Sequence, residues 1–402
     1  MTRIGFAYNQ KPEVCGLETG TDSESAHGDE DPPSKRRDHS SRTTPEPASR
    51  PSLSSRDASG ARVAAPPASA DPLQDIYAEW DSPATIDAVA SALADCGEVI
   101  RLEADEDFPA RLRAARPDIV FNIAEGLHGT NRESHVPAIC EFFGIPYSGS
   151  DPFTLSLCLD KARTKELLAF NAIPTAAFFL VRSEDDLRHA PAATERAPLF
   201  IKPVHEGSSK GITKRNFVRS PAQLRDGVRH LLATYDQPVL VESYLPGAEF
   251  TCGVLGNGDA ARVLPIVGLD FSSLPQGAVP IYGFEAKWIW DTPARPLDIF
   301  ECPARVDAAT EAAIRDVVLR TYRVLGCRDW ARIDVRLDAA GVPNVVEVNP
   351  LPGILPDPAD NSCLPKAARA AGIGYDELIQ ACLTYAAQRA GIALDVPAGA
   401  AA

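Results

Sequence analysis

The apolar positions of the chain change period repeatedly, and each change predicts an element. Arg3 to Tyr8 (RIGFAY) is a short apolar run of strand length. PATIDAVASALADCG carries apolar residues at helical spacing and predicts a helix ending at Gly97, followed by a strand in EVIRLEA. DIVFNIAEG predicts another strand, VPAICEFFG a helix, and GIPYSGSDP a turn. Further on, LSLCLDKARTKELLAFNA predicts one continuous helix, with strands at Ala176 to Val181, Leu199 to Pro203 and Val239 to Glu242. EFTCGVLG, RVLPIVGLD, ARIDVRLD and NVVEVNP predict four more strands, with long helices after Asp307 and Tyr375. There is no internal repeat. Strands alternating with helices predict a small parallel α/β unit first and mixed α+β units after it.

One tract breaks this pattern. From Gly16 to Pro72 there is no Ile, Phe, Tyr, Trp, Met or Cys; Ser, Pro, Ala, Asp and Arg dominate. Such a segment cannot bury enough apolar surface to offset chain entropy and is expected to be disordered and dispensable for folding. Because RIGFAY precedes it, the tract reads as an insertion within a folded domain. The expected organisation is an α/β domain over 1–150 interrupted at about 17–72, a second unit over 151–241, a third over 242–395, and a disordered tail over 396–402.

Composition narrows the function classes. The 402 residues are 45% hydrophobic and 24% charged, as in ordinary globular proteins. Lys and Arg number 40 against 55 Asp and Glu, a net charge of −15 that disfavours nucleic acid as a partner. The nine cysteines stand singly, with no spacing that suggests zinc or a redox pair. The first residues have no signal-peptide pattern, and no apolar run approaches the ~20 residues of a membrane helix. A cytoplasmic protein without membrane contact is expected.

Two stretches carry candidate chemistry. In FIKPVHEGSSKGI a strand bearing Lys202 runs into a loop with Gly207, Ser208, Ser209 and Gly211. Such a loop can offer backbone N–H groups and hydroxyls to phosphate while the lysine neutralises charge. It matches neither the Walker A string nor the dinucleotide fingerprint, and taken alone a plain turn between strands is the commoner explanation. Lys161, in CLDKARTK, is equally well a solvated helical lysine. In ARIDVRLDAAGVPNVVEVNPLPG, strand alternation puts Glu347 and Asn349 on one face, with Asp334 and Arg332 on the neighbouring strand. Converging oxygen ligands of this kind suit Mg²⁺; the other reading is a polar, solvent-facing side of two strands.

Taken in order, GIPYSGSDPFTLSLCLDKARTK, FIKPVHEGSSKGI, VESYLPGAEFTCGVLG, FEAKW, ARIDVRLD and EVNPLPG resemble the D-alanine–D-alanine ligases of the ATP-grasp superfamily. The resemblance covers nearly all of the chain outside the insertion. It implies a three-domain ATP-grasp fold with a Rossmann-like N-terminal domain, and an ATP-dependent carboxylate–amine ligase working through an acyl phosphate. By the same resemblance Lys161, Lys202 and Ser209 meet ATP phosphates, and Lys287 of FEAKW meets the γ-phosphate. Glu242 and the backbone of Ser243 to Leu245 meet adenine, and Glu249 meets the ribose. Asp334, Glu347 and Asn349 hold Mg²⁺, or Mn²⁺ in its place, and Arg332 stabilises the developing oxyanion. Ser362 takes the second substrate's carboxylate. Glu79 matches the glutamate that binds the first substrate's ammonium group and, with Ser208, belongs to a hydrogen-bond group that closes the lid; His128 and Glu133 keep the family's HG and later glutamate.

The sequence departs from the family at three places. Trp288 stands where a lid tyrosine is usual, so the group of Glu79 and Ser208 loses a hydroxyl that indole cannot replace. Ser134-His135 replaces an Asp-Gly after Glu133, and ILPDPADNSC before Ser362 is extended. The expectation is a ligase with divergent substrates; housekeeping D-alanyl-D-alanine synthesis, a small-molecule kinase and a non-catalytic nucleotide-binding regulator are the alternatives. ATP and small carboxylate and amine substrates are the expected partners, with a homodimer as the candidate assembly.

Overall fold

A computed structural model describes residues 1–12, 77–189, 198–275, 279–283, 297 and 299–394. The expected insertion at 17–72, Lys287 and Trp288, and the expected tail at 396–402 lie outside the described residues. The strands are β1 (Arg3–Tyr8), β2 (Glu98–Glu103), β3 (Ile119–Asn122), β4 (Phe178–Val181), β5 (Leu199–Pro203), β6 (Phe217–Val218) and β7 (Val239–Ser243). There follow β8 (Glu249–Leu255), β9 (Arg262–Val263), β10 (Val267–Leu269), β11 (Phe300–Glu301), β12 (Trp330–Leu337) and β13 (Pro343–Asn349). The α-helices are α1 (Pro83–Ala94), α2 (Phe108–Ala115), α3 (His135–Phe143), α4 (Pro152–Leu159), α5 (Lys161–Phe170), α6 (Pro221–Tyr235), α7 (Ala308–Leu325), α8 (Cys363–Ala370) and α9 (Tyr375–Ala390).

Three sheets result. β2-β1-β3 is wholly parallel, as expected where helices connect the strands. β4-β7-β5-β6 is antiparallel. The largest runs β11-β10-β8-β12-β13 with β9 beside β8. All three belong to one compact unit that includes residues on both sides of the insertion.

Two predicted elements are divided, each for a local reason. The helix predicted across LSLCLDKARTK breaks at Asp160, whose ψ of 93° is extended. Its carboxylate accepts from the N–H groups of Ala162 and Arg163, both at 3.0 Å, so the same side chain ends α4 and starts α5. The strand predicted across RVLPIVGLD is cut into β9 and β10 around Pro265, which has no N–H to give a ladder. The helix predicted to reach Gly97 ends at Ala94, where Asp95 caps it.

The largest core lies under the first sheet and joins the two ends of the chain. Ile4 and Phe6 of β1, Ile86 and Leu93 of α1, Trp330 of β12 and Leu378, Ile379 and Leu383 of α9 share one buried cluster. Trp330 stacks on Phe121 with ring centroids 5.4 Å apart. Each such side chain contributes about 1.5–3 kcal/mol when fully buried. At the rim of this core the Thr2 hydroxyl donates to the Ala393 carbonyl at 3.0 Å, and the Lys11 N–H donates to the Asp81 carbonyl at 2.8 Å.

Candidate active site

The strands of the second and third sheets, α5, and the turn before α1 enclose a cavity of about 830 Å³. Lys161, Lys202, Ser208, Ser209, Glu242, Leu245, Glu249, Arg332, Asp334, Glu347, Asn349, Ser362 and Glu79 all line it. The structure therefore brings together, from positions far apart in the chain, the described residues singled out from sequence, with one exception. His128 is exposed on its loop and is not part of the cavity wall.

The charged wall is assembled by register. Asp334 pairs directly with Glu347 and Arg332 with Asn349 across β12 and β13, with an irregularity after Asp334. Arg332 grips Asp334 through Nε at 3.1 Å and through its terminal nitrogen at 3.0 Å. Asp334 also accepts from the Thr251 hydroxyl. Lys161, the first residue of α5, reaches Glu347 at 2.9 Å. Burial works against the charge of Glu347, but Lys161, Lys202 and Arg332 outweigh it and hold its pKa below the usual range.

Glu242 is buried at the end of β7 between Lys165 at 2.9 Å and Lys202 at 3.0 Å. Although burial opposes ionisation, the two ammonium groups pull its pKa down to about 2. Glu249 pairs with Arg336 at 2.7 Å, yet burial leaves its pKa raised. Ser362 donates to the Gly353 carbonyl at 3.0 Å and accepts from the Leu355 N–H at 3.1 Å, so the lengthened loop folds back on it.

The Gly-Ser loop leaves β5 and returns through consecutive left-handed residues, Ser208 at φ 50° and Ser209 at φ 61°. Such geometry is costly for non-glycine residues and concentrates at functional sites. Gly207 packs against Glu79: a Cβ there would stand 2.4 Å from Glu79 Oε1, so that carboxylate would have to shift. Glu79, which the resemblance places at the first substrate's ammonium group, has partners within the protein. Its Oε1 accepts from Arg132 at 3.0 Å and from the Gly207 N–H at 3.1 Å. Its Oε2 accepts from Arg132 and from Lys210, each at 2.9 Å. Arg132 and Lys210 thus both pair with the carboxylate that the resemblance assigns to a substrate ammonium group.

Sequence reasoning missed Lys165, Arg336, Arg132 and Lys210. The first two had a signal: Lys165 lies four residues after Lys161 on one helix, and Arg336 continues the alternation of Arg332 and Asp334 along a strand. Arg132 and Lys210 had none, since they reach Glu79 across 53 and 131 positions of chain.

Comparison with known proteins gives this geometry its family. The family model described as the D-ala D-ala ligase C-terminus matches residues 167–384. An uncharacterized protein of Sinorhizobium fredii, y4sG, is 36% identical over 313 residues, covering 75% of this chain and 86% of the relative. The D-alanine–D-alanine ligase of Cupriavidus taiwanensis is 35% identical over 270 residues, 67% of this chain and 76% of its own. The crystal structure of the Bacillus anthracis D-alanine–D-alanine ligase with ATP is similar in fold, with a TM-score of 0.58 and 24% identity over 76% of this chain and 91% of that one. The chain therefore belongs to the D-alanine–D-alanine ligase family and is an ATP-dependent, carbon–nitrogen bond-forming ligase of the ATP-grasp fold.

Proposed function

We propose that the enzyme phosphorylates the carboxylate of one small substrate with ATP and joins it to the amine of a second, releasing ADP and phosphate, and that its preferred pair is not D-alanine with D-alanine. The observation that supports the reading best is the single cavity in which Lys161, Lys202, Arg332, Asp334 and Glu347 face one another. Phosphoryl transfer needs fixed positive charge around the phosphates, and the acyl step needs a donor beside the carbonyl oxygen.

Lys161, Lys202 and the loop of Ser208 and Ser209 take the phosphates. Glu242, with the backbone of Ser243 to Leu245, faces the base, and Glu249 faces the ribose. Arg332, held in place by Asp334, is available to the oxyanion that forms when the amine attacks the acyl phosphate. Ser362 takes the second substrate's carboxylate. The Gly-Ser loop, with the lid that contains Lys287 and Trp288, excludes water that would otherwise hydrolyse the intermediate. Three structural domains, with boundaries at about 150 and 241, and a homodimer are parts of the same proposal.

The donor set of Asp334, Glu347 and Asn349 fits Mg²⁺, and Mn²⁺ as a substitute, because it is all oxygen and its two carboxylates are cross-strand partners. Mg²⁺ there would neutralise phosphate oxygens during transfer.

Divergent specificity is supported by Trp288 in place of a hydroxyl-bearing residue, by the long loop folded onto Ser362, and by the cations paired with Glu79. The names of curated relatives favour a second reading, the synthesis of D-alanyl-D-alanine itself. A coupled ADP-release assay over D- and L-amino acids and other carboxylates separates them. Some pair should exceed D-alanine with D-alanine in kcat/KM; if D-alanine alone matches every pair, the second reading stands. ADP release from one acid without any amine would point instead to a kinase, and binding without ADP release to a regulator. Glu347→Gln should abolish ADP formation in a folded protein, and activity near wild type would remove Glu347 from the metal site.

A further inference from the structure

Arg336 lines the cavity from the same face of β12 as Arg332 and Asp334, and no step proposed above uses it. Its cross-strand neighbour on β8 is Glu249, and the two meet at 2.7 Å between Nη1 and Oε2. The other terminal nitrogen, Nη2, donates to the Tyr244 hydroxyl at 2.8 Å and to the Pro280 carbonyl at 3.0 Å. The guanidinium also lies against the Tyr244 ring, 4.9 Å from its centroid. One arginine therefore joins three separate stretches of chain: the Ser243 to Leu245 backbone assigned to the base, the acid assigned to the ribose, and the segment that leads to Lys287. That segment has a second tie, from the Gly-Ser loop, where the Ser209 hydroxyl donates to the Tyr282 carbonyl at 3.1 Å. A buried ion pair is weak evidence for stability, because desolvation offsets most of the attraction. Arg336 is buried, and its Nε has no partner among the described residues, which adds to the cost. The arrangement is better explained by what it holds in place.

We propose that Arg336 is a positioning residue that fixes the Glu249 carboxylate for the sugar of the nucleotide, and that it thereby makes the enzyme select ATP over analogues lacking a ribose hydroxyl. The inference rests on the ligase reading and deepens its nucleotide site. Arg336 holds one carboxylate oxygen of Glu249, and among the described residues no donor reaches the other, Oε1. A carboxylate gripped on one side by a charge-assisted bond keeps one rotamer, so less side-chain entropy is lost when a nucleotide binds. The grip also favours the ionised form: burial raises the pKa of Glu249, and Arg336 is the strongest charge opposing that rise. An ionised carboxylate only accepts hydrogen bonds, which suits a sugar that offers hydroxyl donors. A site built to bond a hydroxyl discriminates strongly against an analogue without it, because the buried acceptor is left unpaired.

The test measures binding of ATP, 2′-deoxy-ATP and 3′-deoxy-ATP, each with Mg²⁺, to the full-length enzyme by calorimetry. ADP release is followed in parallel with the acid and amine pair that turns over fastest. Wild type should bind at least one deoxy analogue about tenfold more weakly than ATP, the loss of a charge-assisted contact. Arg336→Met keeps the length and the apolar stem. It should raise Kd and KM for ATP about tenfold, leave those for the analogue within about twofold, and change kcat less than about twofold, so that the preference disappears. Arg336→Lys returns a charge to Glu249 without the fork to Tyr244 and Pro280, and should show a preference between the two. If Arg336→Met fails to fold, Arg336→Lys decides alone, and a full wild-type preference there would overturn the inference. Equal affinity of wild type for all three nucleotides, an unchanged preference in Arg336→Met, or an equal loss for every nucleotide with a fall in kcat would also overturn it, leaving the ligase assignment intact. Binding of none of the three, with no ADP released from any acid and amine, would overturn the ligase reading itself.

Discussion

Two ammonium groups converge on the buried Glu242 at the cavity wall, and this makes the residue a pH-dependent support of that wall. Its pKa of about 2 lies below the ordinary 4.5, so its contribution to stability is complete above pH 4.5 and is lost as pH falls toward 2. Asp81 and Glu133 act in the opposite sense. Burial raises both to about 7, so they favour the folded state below the ordinary carboxylate range and oppose it increasingly as pH rises to 7. Glu242→Gln leaves Lys165 and Lys202 buried without their counter-ion and should cost about 3–5 kcal/mol at neutral pH. Thermal melts from pH 2 to 7 should show a lower Tm and a flatter acid limb for the variant. An unchanged acid limb would mean that Glu242 is not the group titrating there.

At the scale of elements, Asp160 deserves the same treatment, because it begins the helix that carries Lys161 and Lys165 into the cavity. Asp160→Ala should remove an N-cap worth about 1 kcal/mol and raise the KM for ATP more than that for either acid. A uniform loss across all substrates would show that the break between α4 and α5 matters only for folding. The break also marks where the sequence stopped being readable. β1, β2, β12 and β13 were legible because each is an apolar-rich segment of strand length, and Asp334, Glu347 and Asn349 could be grouped from strand period alone. The division at Asp160 was hidden because both flanking segments share helical spacing. The ion pairs of Glu79 were hidden for a deeper reason: no local pattern records which distant cation will fold against a carboxylate. His128 lies outside the cavity wall, since a short motif fixes a loop's composition but not the direction in which it faces.

For the whole molecule, the binding residues come from two sheets, α5 and the turn before α1, tied together in part by a few buried polar contacts. Asp329, fully buried, accepts from the Gly149 N–H at 2.8 Å, from Asn257 at 2.8 Å and from Arg389 of α9 at 2.9 Å, joining the end of the first unit to the last helix. The contact between Thr2 and Ala393 has a further consequence. With Thr2 and Ala393 in contact, the described residues nearly close into a ring, and the order in which the ring is read is arbitrary as far as packing is concerned. A circular permutant that starts near residue 73, runs through residues 395–402 as a natural linker into Met1, and stops near residue 16 should fold and release ADP like the parent. Its new ends would fall in the segment poorest in large apolar side chains, on either side of the Lys11 and Asp81 clasp. Failure to fold would mean that the tract between them guides assembly; success would make it a port where a reporter domain could be spliced without disturbing catalysis.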